Sequence, residues 1–458
     1  MGMKKSRMIS CLLCCSLCFV FMQVILHRLL KPRLDTKMTE EGGSSTEYLS
    51  HANIERFLRL CGNASLPVFL FDEYILQQVL ASPNNMEIKN RTCKFLCNKQ
   101  LVTSFAITAE KWLPEHKVHS FIKESVKEGF TSVISLKSEH WNSHLESYSQ
   151  DPSHYFFKRG GHIIHLVVLY EIMDKSWWHG AIVMDAANEE LQEYHSYIHA
   201  SRVGVFAGLV DKFETVQVKM DSISVNAPRY PKWTLAQMNN SRYIECNHTQ
   251  AKLFYQKYPL EETERMRTFR EQAINLLRKG SAILDGLGVR FWLSSGTCLG
   301  WYRQCDIIPH TTDVDFGIWI KDYNKKIVPS FLSHGFSLDH QLGKVSDSFQ
   351  LSFKYGDVKL DIFFFYEEGE YMWNGATQVK TANKYKYYFP RFTLCWTMFY
   401  VEKVRVPCET QSYLEANYGT NWWEPVKIWD WKKSPPNVRE NGQWPEEEWD
   451  DVIQIPDS

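Results

Sequence analysis

Thr312-Asp313-Val314-Asp315-Phe316-Gly317-Ile318-Trp319-Ile320 is the stretch from which the rest of the chain is read. Side chains alternate faces along a strand, so Asp313 and Asp315 share one face while Val314 and Phe316 take the apolar one. Further along comes Val358-Lys359-Leu360-Asp361-Ile362-Phe363-Phe364-Phe365, an apolar strand interrupted by a single acid. A carboxylate inside such a run needs a partner, because Asp is rarely buried alone, and the Asp313/Asp315 pair is the available one. Three carboxylates brought together raise one another's pKa unless a divalent cation neutralises them, and an all-oxygen donor set suits Mg²⁺ or Mn²⁺. Upstream, Phe291-Trp292-Leu293 predicts a strand ending in Ser294-Ser295-Gly296-Thr297, a small-residue turn that phosphate oxygens can approach closely.

The chain around this stretch has 458 residues, 44% of them hydrophobic and 14% aromatic, enough for two or three packed domains. Its net charge of -1, with no long basic stripe, argues against a nucleic-acid partner. Met8 to Leu26 is an uncharged apolar run, roughly 28 Å long as a helix, which is sufficient to cross a hydrocarbon core. No small-residue cleavage site closes it, so the expectation is an uncleaved signal-anchor rather than a signal peptide. Basic residues flank it on both sides and do not fix an orientation. Four glycosylation sequons do: Asn63-Ala-Ser, Asn90-Arg-Thr, Asn239-Asn-Ser and Asn247-His-Thr all lie beyond the run and predict a lumenal bulk. The expected order is a cytoplasmic tail over 1–7, a transmembrane segment over 8–26 and a polar stem over 27–50.

Beyond the anchor stand Cys61, Cys93, Cys97, Cys246, Cys298, Cys305, Cys395 and Cys408, an even set that an oxidising lumen can pair in ways the sequence leaves open. Cys298 and Cys305 are read as structural, by packing or by disulfides with Cys395 or Cys408, because transfer of phosphorus to a hydroxyl needs no thiol nucleophile. Residues 51–227 alternate short apolar runs with helical patterns and predict a small α/β domain without evident chemistry; strands are expected over Val68–Phe71, Thr131–Leu136 and His162–Tyr170, and a helix over Phe121–Glu128. Residues 228–260 read as a connection. Residues 261–458 form the expected catalytic domain, opened by an amphipathic helix over Glu261–Leu287 that Gly280 should break or kink and that stops at Gly286-Leu287-Gly288. Trp373-Asn-Gly-Ala376 reads as a hairpin turn, and Lys380, Lys384, Lys386 and Arg391 either as pyrophosphate contacts or as a protected edge strand. The tryptophans of the tail read as core caps more readily than as sugar platforms.

Strand, Gly-Thr turn, Asp-x-Asp on a second strand and a lone Asp on a third together resemble the choline-phosphotransferase-like (LicD) branch of the nucleotidyltransferase fold. Over Trp292–Arg303, Asp313–Ile318 and Trp429–Asn437 the resemblance narrows to the fukutin family of ribitol-phosphate transferases. That resemblance implies an α/β (α+β) chain with a nucleotidyltransferase-like mixed sheet. It also implies a type II Golgi membrane location and passage of ribitol 5-phosphate from CDP-ribitol to the terminal N-acetylgalactosamine of the phosphorylated O-mannosyl trisaccharide on α-dystroglycan, with CMP released. Fukutin-related protein and other O-mannose pathway enzymes are the implied partners. In this reading Asp313, Asp315 and Asp361 are metal-binding and catalytic, and Ser295, Gly296, Thr297 and Arg303 bind substrate, Arg303 by a bidentate phosphate contact. Two other classes stay open: a metal-dependent glycosyltransferase using a nucleotide-sugar donor, and a non-catalytic partner of O-mannose glycosylation enzymes.

Overall fold

The computed structural model describes residues 43–81, 93–97, 101–142, 147–182, 203–426 and 428–456. The expected anchor, Met8 to Leu26, and the Asn90 sequon lie outside them; among the described residues no helix is long and apolar enough to cross a membrane. Those residues fold into two mixed α/β units with separate cores.

The first unit holds helices α1 (Gly43–Asn63), α2 (Glu73–Ala81) and α3 (Glu115–Lys127). Its strands are β1 (Phe69–Leu70), β2 (Val102–Thr108), β3 (Ser132–Asn142), β4 (Ser147–Arg159), β5 (His162–Ile172), β6 (Ser176–His179), β7 (Gly208–Asp211), β8 (Thr215–Met220) and β9 (Ile223–Pro228). They run in the order β3-β4-β5-β2-β1-β9-β8, with β6 on β5 and β7 on β6. β5 is central because His162–Leu169 is buried without interruption, as a strand covered on both faces must be. The expected stem ends early: α1 begins at Gly43, so residues 43–50 are helical. The apolar spacing that builds this helix (Ile54, Phe57, Leu60 and Cys61) starts only in its second half and left the polar first half unsignalled.

The expected connection contains two helices. α4 (Pro231–Asn239) starts with Pro at its first turn and packs beside α2, whereas α5 (His248–Lys257) is capped by Asn247, whose Oδ1 accepts the Gln250 N–H at 2.9 Å. The asparagines of the three described sequons, Asn63, Asn239 and Asn247, are exposed.

In the second unit α6 (Glu264–Gly286) is capped by Thr263 and runs unbroken through Gly280, contrary to the break expected there. A Cβ at Gly280 would lie 3.1 Å from Leu360 and 3.2 Å from Phe316, so the glycine lets the helix settle onto the sheet. Then follow β10 (Phe291–Leu293), α7 (Ser295–Gln304), β11 (Asp313–Trp319), α8 (Ile327–Ser333), β12 (Ser337–Lys344), β13 (Asp347–Tyr355), β14 (Val358–Glu368), β15 (Tyr371–Thr377), β16 (Asn383–Pro390), the hairpin β17–β18 (Leu394–Phe399 and Glu402–Pro407), α9 (Thr410–Tyr418), β19 (Val438–Gln443) and β20 (Ile453–Gln454). The sheet order is β19-β16-β15-β14-β13-β12-β20, with β11 parallel to β14 and β10 antiparallel to β11. Trp373–Ala376 is strand interior, not the hairpin turn its Asn-Gly suggested. Gly375 lies there because a Cβ would meet Ser348 Oγ at 2.1 Å, and the chain turns instead at Gly369, where φ is +58°.

The cysteines form Cys93–Cys97, Cys246–Cys305 and Cys395–Cys408, with Cys61 and Cys298 left as buried thiols. Cys305 therefore pairs with the connection rather than with Cys395 or Cys408, tying the end of α7 to the segment before α5. The two units meet where Lys403 bonds Asp211 at 2.5 Å and Tyr243 forms a β-bridge with Trp396.

Candidate active site

One face of the second sheet is apolar. Val314, Phe316 and Ile318 of β11 and Leu360, Ile362 and Phe364 of β14 are buried in the core shared with Ala273, Leu276 and Leu284 of α6. The alternation that puts them there turns Asp313, Asp315 and Asp361 to the opposite face. β11 and β14 are paired so that Asp315 stands directly beside Asp361 and Asp313 beside Lys359. Carboxylate oxygens of Asp313, Asp315 and Asp361 all lie within 4.8 Å of one another. The convergence expected from the sequence is met.

Each acid is held by a neighbour. Thr311 donates its hydroxyl to Asp313 Oδ1, and Ser352, opposite Asp361 on β13, donates to Asp361 Oδ1 at 2.5 Å. Asp315 receives the Thr297 N–H at 3.3 Å and the Gly296 N–H, while its own N–H donates to Thr297 Oγ1 at 2.8 Å. Burial, and then Asp313 and Asp361, push the Asp315 carboxyl well above its ordinary range despite those donors. Burial pushes Asp361 up to about 6 against the Ser352 hydrogen bond, with Asp313 adding to the rise. An all-carboxylate cluster in which burial and neighbouring acids hold Asp315 and Asp361 against ionisation fits a hard divalent cation.

The Ser295-Gly296-Thr297 turn is the first turn of α7, with Ser295 in the left-handed region at φ +41°. Its N–H groups were expected to face phosphate. They are committed within the protein: Ser295 to the Tyr413 hydroxyl, Gly296 and Thr297 to Asp315. The helix N-terminus thus steadies a buried acid, which is what aligned donors do for negative charge. Ser295 and Gly296 still line the cavity over the acids.

That cavity, about 480 Å³, also takes in His340, Gln350, Asn374, Asn417, Tyr418, Trp429 and Trp431. A second, about 440 Å³, opens beside it, lined by Arg303, His310, Thr312, Asn421 and Trp422, and the two share Gly296, Thr311, Asp313, Tyr418 and Trp429. Arg303 belongs to the second arm and not to the acid cavity. Its Nε and Nη2 bind Gln304 Oε1 at 3.2 and 2.7 Å and its guanidinium stacks 4.7 Å from the Phe254 ring, so that edge of the fork is already engaged. The basic stretch is absent from both arms: Lys384 pairs with Asp347, Lys386 with Glu368, and Arg391 donates to Gly369 O. Cys298 lies fully buried behind the acids, and burial pushes its thiol far up, as befits packing rather than nucleophilic attack. The tail tryptophans divide: Trp444 is buried and bonds Thr377 Oγ1 at 3.0 Å, whereas Trp429 and Trp431, each 39% exposed, wall the acid cavity.

His340, Asn417 and Tyr418 carried no sequence signal, and Asn374 was read only as part of a turn. They sit within strands or at a helix end whose facing depends on tertiary packing. A further cavity of about 790 Å³, between the two units and beside Arg242, Arg290 and Arg391, contains none of the three acids.

The family described as Fukutin N-terminal matches residues 2–274, and that described as LicD/FKTN/FKRP, nucleotidyltransferase domain, matches residues 288–409. The second match contains all three acids. The chain is 43% identical to the human protein named Ribitol-5-phosphate transferase FKTN over 92% of its own length and 91% of the relative's, and 41% identical to the mouse protein of that name over the same shares. A shorter similarity, 44% over 57 residues covering 12% of this chain and 11% of the relative, links it to human Ribitol 5-phosphate transferase FKRP. A mixed sheet carrying three convergent acids inside the LicD-type domain, preceded by a fukutin-type N-terminal domain, makes this chain a member of the fukutin family.

Proposed function

We propose that this chain is a ribitol-5-phosphate transferase that passes ribitol 5-phosphate from CDP-ribitol to a sugar hydroxyl and releases CMP. The observation that carries the reading is the convergence of Asp313, Asp315 and Asp361 within 4.8 Å at the junction of two cavities. The names of its human and mouse relatives supply the transferred group. The acceptor is the terminal N-acetylgalactosamine of the phosphorylated O-mannosyl trisaccharide on α-dystroglycan. The short likeness to FKRP is consistent with work beside that enzyme.

Asp313, Asp315 and Asp361 would hold Mg²⁺ or Mn²⁺. When bound, such an ion supplies Lewis-acid stabilisation of charge on phosphate oxygens. The residues themselves do the rest. Thr297, Thr311 and Ser352 fix the three carboxylates. Gly296, shared by both arms and without a side chain, leaves room for a pyrophosphate between them. The arm with Arg303 suits the nucleotide by the charge of its guanidinium, and the arm walled by Trp431, with Asn374, Gln350 and Asn417, suits a polyol or sugar by stacking and neutral hydrogen bonds. The apolar run at Met8 to Leu26 and the exposed sequon asparagines support a type II Golgi membrane protein with a lumenal catalytic domain.

The purified full-length chain, offered CDP-ribitol, CDP-choline and UDP-sugars with the acceptor glycan, should release CMP from CDP-ribitol alone. Use of a UDP-sugar would support the glycosyltransferase class instead.

A further inference from the structure

β12 carries a bulge between Leu338 and His340, so Asp339 is the extra residue. In a regular strand neighbours point to opposite faces; here the bulge brings Asp339 and His340 together, with Nδ1 of the imidazole 3.1 Å from Asp339 Oδ2. Asp339 is itself gripped by Lys354 and by Lys359 at 2.7 Å, and those partners hold its carboxyl far below the usual range although burial opposes them. A carboxylate held charged can only accept, so Nδ1 carries the proton and Nε2 keeps its lone pair. Nε2 has no hydrogen-bond partner among the described residues, and His340 lines the acid cavity.

His340 also stands in register with the acids. It is the cross-strand partner of Ser352, Ser352 of Asp361, and Asp361 of Asp315, one row across β12, β13, β14 and β11. Two strand spacings put the His340 backbone about 10 Å from that of Asp361. His340 and all three carboxylates line the same cavity, where a substrate hydroxyl can lie against both.

Building on the ribitol-phosphate transfer reading, we propose that His340 is the general base of the reaction and that Asp339 positions it. As the acceptor oxygen forms its bond to the ribitol-bearing phosphorus, the hydroxyl proton passes to Nε2. The bond from that phosphorus to the bridging pyrophosphate oxygen breaks, and its electron pair leaves with CMP. The proton is then lost to solvent, and His340 returns to its starting form. Asp361 is a poorer base for this step because its Oδ1 already accepts from Ser352 and the carboxylate belongs to the cation cluster. Burial lowers the imidazole below its ordinary value against the pull of Asp339, which keeps Nε2 free to accept near neutral pH.

The test uses the full-length chain with CDP-ribitol and the acceptor glycan, comparing wild type, His340→Ala and His340→Gln. Both variants should lose about a hundredfold or more in kcat while CDP-ribitol affinity by calorimetry stays at the wild-type value, and added imidazole should restore part of the His340→Ala rate. Should the alanine variant melt below the assay temperature, the glutamine variant, which keeps bulk and a hydrogen-bonding group, decides by kcat and donor affinity. Wild-type kcat in a folded variant, a parallel loss of donor affinity, or the absence of imidazole rescue in folded His340→Ala would overturn the assignment. A wild-type chain that transfers nothing from CDP-ribitol would instead remove the underlying transfer reading, and the control reaction alone reveals that.

Discussion

Asp315 and Asp361 are direct partners across the parallel β11–β14 ladder, two carboxylates side by side on neighbouring strands with Asp313 two residues along. Like charges in such a pairing disfavour the sheet, so the arrangement costs stability unless a cation completes it. Replacing either acid by an isosteric amide should therefore separate function from folding. Asp315→Asn and Asp361→Asn should each lower transfer about a hundredfold or more while melting, measured in chelator, no earlier than wild type. A clear drop in melting temperature would mean that the carboxylates stabilise the fold.

Much of this site was legible because strand periodicity is a local rule. Asp313-Val-Asp-Phe announced its two faces, and an acid in the middle of Val358–Phe365 announced that it needed company. Local sequence misleads where the deciding contact is distant in the chain. Gly280 looked like a helix breaker and is a seat for Leu360 and Phe316; Asn374-Gly375 looked like a turn and lies under Ser348. Asp339 and His340 carried no signal at all, because a bulge has no signature in the residues that form it. Nor could spacing distinguish a Cys246–Cys305 bridge from the alternatives.

The two glycines should separate in mutational cost. At Gly317 a Cβ would lie 2.3 Å from the Trp292 ring, itself buried under Trp319, Phe365 and Phe392 and unable to shift. Gly317→Ala should cost about 1–3 kcal/mol or more in denaturant unfolding. Gly280→Ala meets only the ends of Leu360 and Phe316 and gains helix propensity, so its cost should fall below about 1 kcal/mol. Equal costs would contradict the packing described for the sheet's two faces.

Cys305→Ser should destabilise the chain by about 2–4 kcal/mol through loss of the Cys246–Cys305 crosslink. Turnover per folded molecule should be retained, since the sulfur lies outside both arms of the cavity. Thermal melts paired with active-site titration separate these effects.

Acid should unfold the N-terminal unit through its histidines. His154, His165 and His179 are fully buried in mutual contact, with His154 Nδ1 3.0 Å from His165 Nε2. Burial above all lowers His154 to about 3, His179 to about 4 and His165 well below its ordinary value. A depressed folded-state pKa means that the unfolded chain binds the proton first. Stability is then fully present above about pH 6.5 and declines as pH falls toward about 4 and 3. Unfolding followed between pH 7 and pH 4 should show this fall, reduced in His154→Gln; an unchanged slope in that variant would place the acid lability elsewhere.

Three carboxylates on one sheet face are proposed to carry a cation-dependent transfer of ribitol phosphate. The most direct test is single-turnover transfer from CDP-ribitol to the acceptor glycan by wild type and by Asp313→Asn, Asp315→Asn and Asp361→Asn, with Mg²⁺ or Mn²⁺ and with excess chelator. Wild type should transfer, with activity abolished by chelator and restored by the added ion, and each variant should be about a hundredfold slower or worse. Full transfer in chelator, or wild-type rates in any of the three variants, would contradict this assignment.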